Sequence, residues 1–172
     1  MHARNYRAVK GQPYTRKKFV KGFPQSKITK FTMGDAKTRF EYEAKLIALE
    51  KAQIRHNALE AARIATNRLL NLKLSESYCL RILPYPHAIL RENKMIFGAH
   101  ADRVSDGMRR SFGKPIGTAA RVKPNQTIIT VNVNANGVEV AKAALKRGSA
   151  KLPIPCRIVI EKTLEIEEVK AP

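Results

Sequence analysis

An α+β fold, a two-layer mixed sheet with two main helices, is the class that the sequence predicts, and three observations predict it. From Thr127 to Asn134 residues alternate, with Ile129, Val131 and Val133 on one side and Thr130, Asn132 and Asn134 on the other, the period of a strand. Two segments, one after Asn57 and one after Asn136, carry apolar residues at helical spacing instead. Outside both patterns lie a basic N-terminal arm, residues 1–34, and an internal stretch, Gly98 to Gly117, that lacks the apolar spacing of a packed element. Two helices against several strands of mixed connection make an α+β domain over residues 35–162, followed by an acidic tail over 163–172.

In chain order, the arm contains no Asp or Glu. It carries Arg4, Arg7, Lys10, Arg16, Lys17, Lys18, Lys21, Lys27 and Lys30, with Tyr6, Tyr14, Phe19, Phe23 and Phe31 between them. Pro13, Gly22 and Pro24 keep it irregular. Disordered tails are usually poor in aromatics, so the interleaving points to an arm that orders against RNA by stacking and phosphate contact. Residues 40–48 have the composition of a helix, but Phe40, Tyr42, Ala44, Leu46 and Ala48 recur with a period of two, which predicts a strand. Asn57 with Glu60 three residues on resembles a capping box. The helix it opens buries Leu59, Ala62, Thr66, Leu69 and Leu70, carries Arg63 and Arg68 outside, and ends near Asn71.

Tyr78 to Leu83 predicts a strand broken at Pro84 and Pro86, an edge or a bend, and resumed from His87 to Arg91. The long loop follows, and Thr118 to Val122 returns to the sheet. Asn136 and Glu139 repeat the capping signature ahead of Val138, Ala141, Ala144 and Leu145. Lys146 and Arg147 in the last turn, then Gly148, read as a helix end. Cys156 to Glu161 is the last strand, with Ile158 and Ile160 inward. Glu165, Glu167 and Glu168 follow in a solvated tail.

At 172 residues the chain is long enough to bury a real core, and 44% of it is hydrophobic. Thirty-three Lys and Arg face fourteen Asp and Glu, a formal charge of +19. Such a charge attracts polyanions, so nucleic acid is the first candidate partner. No apolar run reaches the roughly 18 residues of a membrane span, and the N-terminus has no apolar core of a secretory signal. Breaks at Pro13, Gly22 and Pro24 also argue against an amphipathic transit helix. Cys79 and Cys156 sit in apolar runs and read as small buried hydrophobes in a reducing compartment, the cytosol.

The Gly98–Gly117 stretch is long for a loop in a compact domain, and such loops are usually functional or disordered. Gly113 and Lys114 do not make a phosphate loop, because five residues separate Gly107 from Gly113 and Pro115 replaces the hydroxyl that would hold magnesium. His100, Asp102 and Ser105 lie on no rigid element that would hold a nucleophile beside a base. His2, His56, His87 and His100 are scattered without metal-ligand spacing, so no metal and no cofactor is expected. Arg109 and Arg110 read differently. Guanidinium forks grip phosphate and stack on bases, and nearby glycines let a backbone come close. Met108 and Phe112 have nothing nearby to bury them, so they anchor the loop or wedge against a partner's bases.

Four segments carry a family resemblance: PYTRKKFVKGFPQSKI (Pro13 to Ile28), ALEAARIATN (Ala58 to Asn67), LRILPYPHAILRENKM (Leu80 to Met95) and ADRVSDGMRRSFGKPIGTAARV (Ala101 to Val122). Together they resemble the large-subunit ribosomal protein family called ten-e in archaea and eukaryotes, the counterpart of bacterial large-subunit protein sixteen. The resemblance implies an α+β sandwich with a hammerhead-like β excursion and a non-enzymatic constituent of the cytoplasmic ribosome. Implied partners are large-subunit rRNA, tRNA and neighbouring ribosomal proteins, with no membrane and no homo-oligomer. It directs the loop toward the peptidyl-transferase centre and the acceptor end of tRNA, with Arg103, Met108, Arg109, Arg110, Phe112 and Lys114 as its contact residues. Eukaryotic members run longer, so an archaeal source is expected. Two other classes remain beside it. A free-standing RNA regulator or chaperone would bind diverse RNAs off the ribosome. For an enzyme acting on RNA, the sequence offers no acid–base or metal constellation.

Overall fold

Among the described residues ten strands and α-helices follow one another: β1 (Thr32–Gly34), β2 (Tyr42–Ala48), β3 (Ala52–Arg55), α1 (His56–Leu74), β4 (Cys79–Ile82), β5 (Ala88–Glu92), β6 (Lys114–Val122), β7 (Thr127–Val133), α2 (Val138–Ser149) and β8 (Cys156–Lys162). They belong to a computed structural model that describes residues 2–13, 15, 17–94, 98, 107–109 and 111–163. The α+β class holds. The expected mixed sheet resolves into two sheets, ordered β1-β4-β7-β2-β8 and β3-β6-β5, and each described pairing is antiparallel. The helices pack on each other, with α2 against β2, β7 and β8 and α1 against β3 and β6. Leu46, Leu59, Leu70, Leu80, Ile129, Val131 and Leu145 fill the space between them.

The alternation over 40–48 does win over its helical composition, because β2 lies between β7 and β8 and its Ala44, Leu46 and Ala48 are wholly buried. In β7 the run Ile128, Ile129, Thr130, Val131 is buried throughout, so both faces of this central strand are covered.

Neither capping box forms. Arg55 ends β3, still paired with Ala119, and is at once the N-cap of α1, so strand passes into helix with no intervening turn for Asn57 to cap. Glu60 turns instead to Arg63, with contacts of 2.6 and 2.9 Å. Before α2 a 3-10 turn, Ala135–Gly137, takes up Asn136, and Gly137 is the N-cap without a side-chain bond. The first helix also runs on past Asn71 to Leu74. Lys146 and Arg147 do lie in the last turn of α2, which ends one residue past Gly148; that glycine is buried, and a Cβ there would overlap the hydroxyl of Thr66 on α1.

Pro84 and Pro86 mark a change of sheet. β4 is an inner strand between β1 and β7, whereas β5 belongs to the three-stranded sheet, so the segment after the prolines does not resume the same strand. β6 starts at Lys114, inside the stretch expected to be loop, and pairs Lys114 with Glu92 and Gly117 with Leu90. The hairpin closes there because Gly113, at φ +74°, lies against the Glu92–Asn93 backbone, where a Cβ would come within 2.5 Å of the Glu92 carbonyl carbon. At the other end of the chain, Ile158 packs on the core but Ile160 is 38% exposed, a correction to its inward assignment. Among the described residues β8 is an edge strand with only β2 beside it. Of the acidic tail, residues 164–172 lie outside the described residues.

Candidate nucleic-acid interface

The described part of the arm lies along its own protein. The carbonyls of Arg7 and Thr15 accept bonds from the N–H groups of Gln53 on β3 and Ile89 on β5, each at 2.9 Å. Ile28 is buried in the core, Phe31 stacks near Tyr85 at 5.7 Å, and its last three residues are strand β1. Tying the arm down by its backbone turns its cations outward. Arg4, Arg7, Lys10, Lys18, Lys21, Lys27 and Lys30 are exposed, and Phe19 beside them is 67% exposed. Arg16 and the side chain of Lys17 lie outside the described residues.

On α1 the two arginines part company. Arg68 is exposed, whereas Arg63 is half-buried, ion-paired to Glu60 and directed at the Met33 sulfur. Donating to the Glu60 carboxylate raises the pKa of Arg63 further, so this cation is engaged within the protein instead of standing on the outer face.

Around the far hairpin, Gly107–Arg109 form a turn that leaves Met108 83% exposed and Arg109 open. The Asn93 amide holds this turn through the Gly107 carbonyl at 3.2 Å. Phe112 is 53% exposed, with the Arg91 guanidinium 4.1 Å from its ring centre, and Arg91 also donates to the Gly113 carbonyl at 3.1 Å. Lys114 is exposed at the start of β6. Arg103 and Arg110 lie outside the described residues, as do His100, Asp102 and Ser105 of the rejected catalytic set.

Sequence reasoning passed over three cations on the small sheet. Arg55 lies over the Tyr6 ring at 5.6 Å, Arg91 over Phe112, and Arg121 donates to the Gly11 carbonyl. They stand on three separate strands, β3, β5 and β6, so no cluster marks them in one dimension. His56, read there only as one of four scattered histidines, has a role in the fold. Its Nδ1 accepts a hydrogen bond from the Lys27 N–H at 3.0 Å, which ties the arm to the start of α1. Burial, with the charges of Arg55 and Lys27, holds the imidazole pKa below its ordinary value.

Among the described residues no group of His, Cys, Asp and Glu could hold a metal ion, and no helix is long and apolar enough to cross a membrane. Both cysteines are free thiols, and burial pushes the Cys156 thiol up, away from reactivity. What remains is an α+β mount whose outward chemistry is cationic and aromatic.

That surface has relatives. A large ribosomal subunit protein uL16 from Picrophilus torridus is 51% identical over 167 residues, 96% of this chain and 95% of that one. One from Staphylothermus marinus is 51% identical over 160 residues, 92% of each chain. A third, from Methanococcus maripaludis, is 50% identical over 161 residues, 93% of each. The family model described as ribosomal protein L16p/L10e matches residues 9–159, which takes in most of the arm, both sheets and both helices. The chain belongs to the ribosomal protein L16p/L10e family.

Proposed function

We propose that this protein is a non-enzymatic structural constituent of the large ribosomal subunit in the cytoplasm, bound to the large-subunit rRNA and neighbouring ribosomal proteins. The observation that carries the reading is the arm: an acid-free segment, held down by its backbone, with seven described cations turned to solvent. Those cations neutralise rRNA phosphates and release counterions, while the core fixes where they stand. A division into arm (1–34), core (35–162) and acidic tail (163–172) belongs to the same reading.

The stretch carrying Arg103, Met108, Arg109, Arg110, Phe112 and Lys114 serves tRNA positioning near the peptidyl-transferase centre. The family resemblance supports this, as does the exposure of Met108, Arg109 and Phe112. Guanidinium groups there would grip the phosphates of the acceptor end, and the exposed apolar side chains would pack on unpaired bases. No homo-oligomer is part of this reading.

Sedimentation of native extract tests it against the free-standing regulator. Stoichiometric presence in large subunits after a moderate salt wash is the expected result. A predominantly free or substoichiometric pool contradicts it.

A further inference from the structure

Between the arm and the three-stranded sheet lies a cavity of about 460 Å³, within the roughly 300–1,000 Å³ of small-ligand pockets. We infer that this cavity receives one unpaired nucleotide of the rRNA, its base inside and its phosphate at the rim; the inference rests on the ribosomal reading above.

The walls are built for the purpose. The arm forms one side, held over the sheet where Gln53 Nε2 donates to the Tyr6 carbonyl at 2.8 Å and Arg121 donates to that of Gly11. Ile89 and Leu90, both buried in β5, contribute an apolar floor. Gln12, Gln53 and Asn93 line the space with amides, which offer donors and acceptors to the edge of a base. At the far side the stacked Arg91–Phe112 pair presents a flat surface of the kind on which unpaired bases stack. Lys10, Arg91 and Arg121 supply positive charge, and no described Asp or Glu lines the cavity. An acidic ligand with a flat, hydrogen-bonding ring fits this combination. A paired base does not, because its edge is already occupied and its neighbours cannot enter.

The test compares the full chain's affinity for octauridylate with its affinity for an eight-base-pair RNA duplex. Phe112→Ala should lower the affinity for octauridylate about tenfold, the scale of one lost base–aromatic stack, and so reduce the ratio of single-strand to duplex affinity. Gln12→Glu is nearly isosteric and puts a carboxylate where there is none. It should reduce the same ratio, whereas Ala143→Glu, an equal charge change on the exposed side of α2, should not. An unchanged ratio in both pocket variants overturns the pocket while leaving rRNA binding by charge intact. Wild-type binding to neither RNA contradicts the ribosomal reading itself.

Discussion

His56 shows how much one side chain can hold together. It opens α1, accepts the Lys27 N–H at Nδ1, and its Nε2 faces Gly117 of β6 so closely that a Cβ there would come within 2.9 Å. As acceptor at Nδ1 the ring is neutral, and a second proton would both break that bond and set a positive charge at a helix N-terminus beside Arg55 and Lys27. Its folded pKa lies below 6.5, so on acidification the unfolded chain takes up the proton first. The stability that His56 contributes is therefore present above about pH 6.5 and is lost as pH falls below it. The melting temperature should drop more between pH 8 and pH 5.5 in the wild type than in His56→Gln, whose amide oxygen can still accept the bond. Equal drops would show that His56 is not the titrating link. In the sequence it stands as one of four scattered histidines, because a search for metal spacing cannot see a single bond to a backbone N–H 29 residues away.

At the scale of elements, Gly148 and Thr66 decide how closely α1 and α2 approach. Thr66 is wholly buried, and its hydroxyl donates to the Ala62 carbonyl at 2.9 Å, which fixes it facing Gly148. Ala at 148, one residue from the end of α2, gains at most about 1 kcal/mol of helix propensity. Overpacking costs about 1–3 kcal/mol, and the overlap is with a fixed buried group, so Gly148→Ala should be net destabilising. Calorimetry should show a lower melting temperature for Gly148→Ala and a smaller combined loss with Thr66→Ala than the two single losses added. Simple additivity would deny the contact. The helices themselves, and the strands at 42–48 and 127–133, are legible from period alone. Their ends are less so, because a cap preference is local while the direct passage from β3 into α1 is set by pairing with β6. Gly148 carries the composition of a helix end, yet its reason lies on another helix.

For the whole molecule, class and partner type follow from period and charge, but the split into two sheets does not. Nothing near Pro84 and Pro86 says that β4 pairs with β7 while β5 pairs with β6, since those partners lie some tens of residues away. The candidate site divides in the same way. The arm's cations are contiguous and visible, whereas Arg91, Arg121 and Gln53 meet beside the arm only after the small sheet forms. Neutralisation of phosphates is the proposed basis on which a chain of charge +19 holds rRNA. The most direct test is the salt dependence of its affinity for large-subunit rRNA, with Lys18→Gln, Lys21→Gln and Lys30→Gln combined as the comparison. With about 6–10 phosphate contacts, affinity should fall about a thousandfold or more between 50 and 200 mM salt. Each lost lysine contact should make the logarithmic slope shallower by about one. A slope near zero, or one that the triple variant leaves unchanged, would contradict the account.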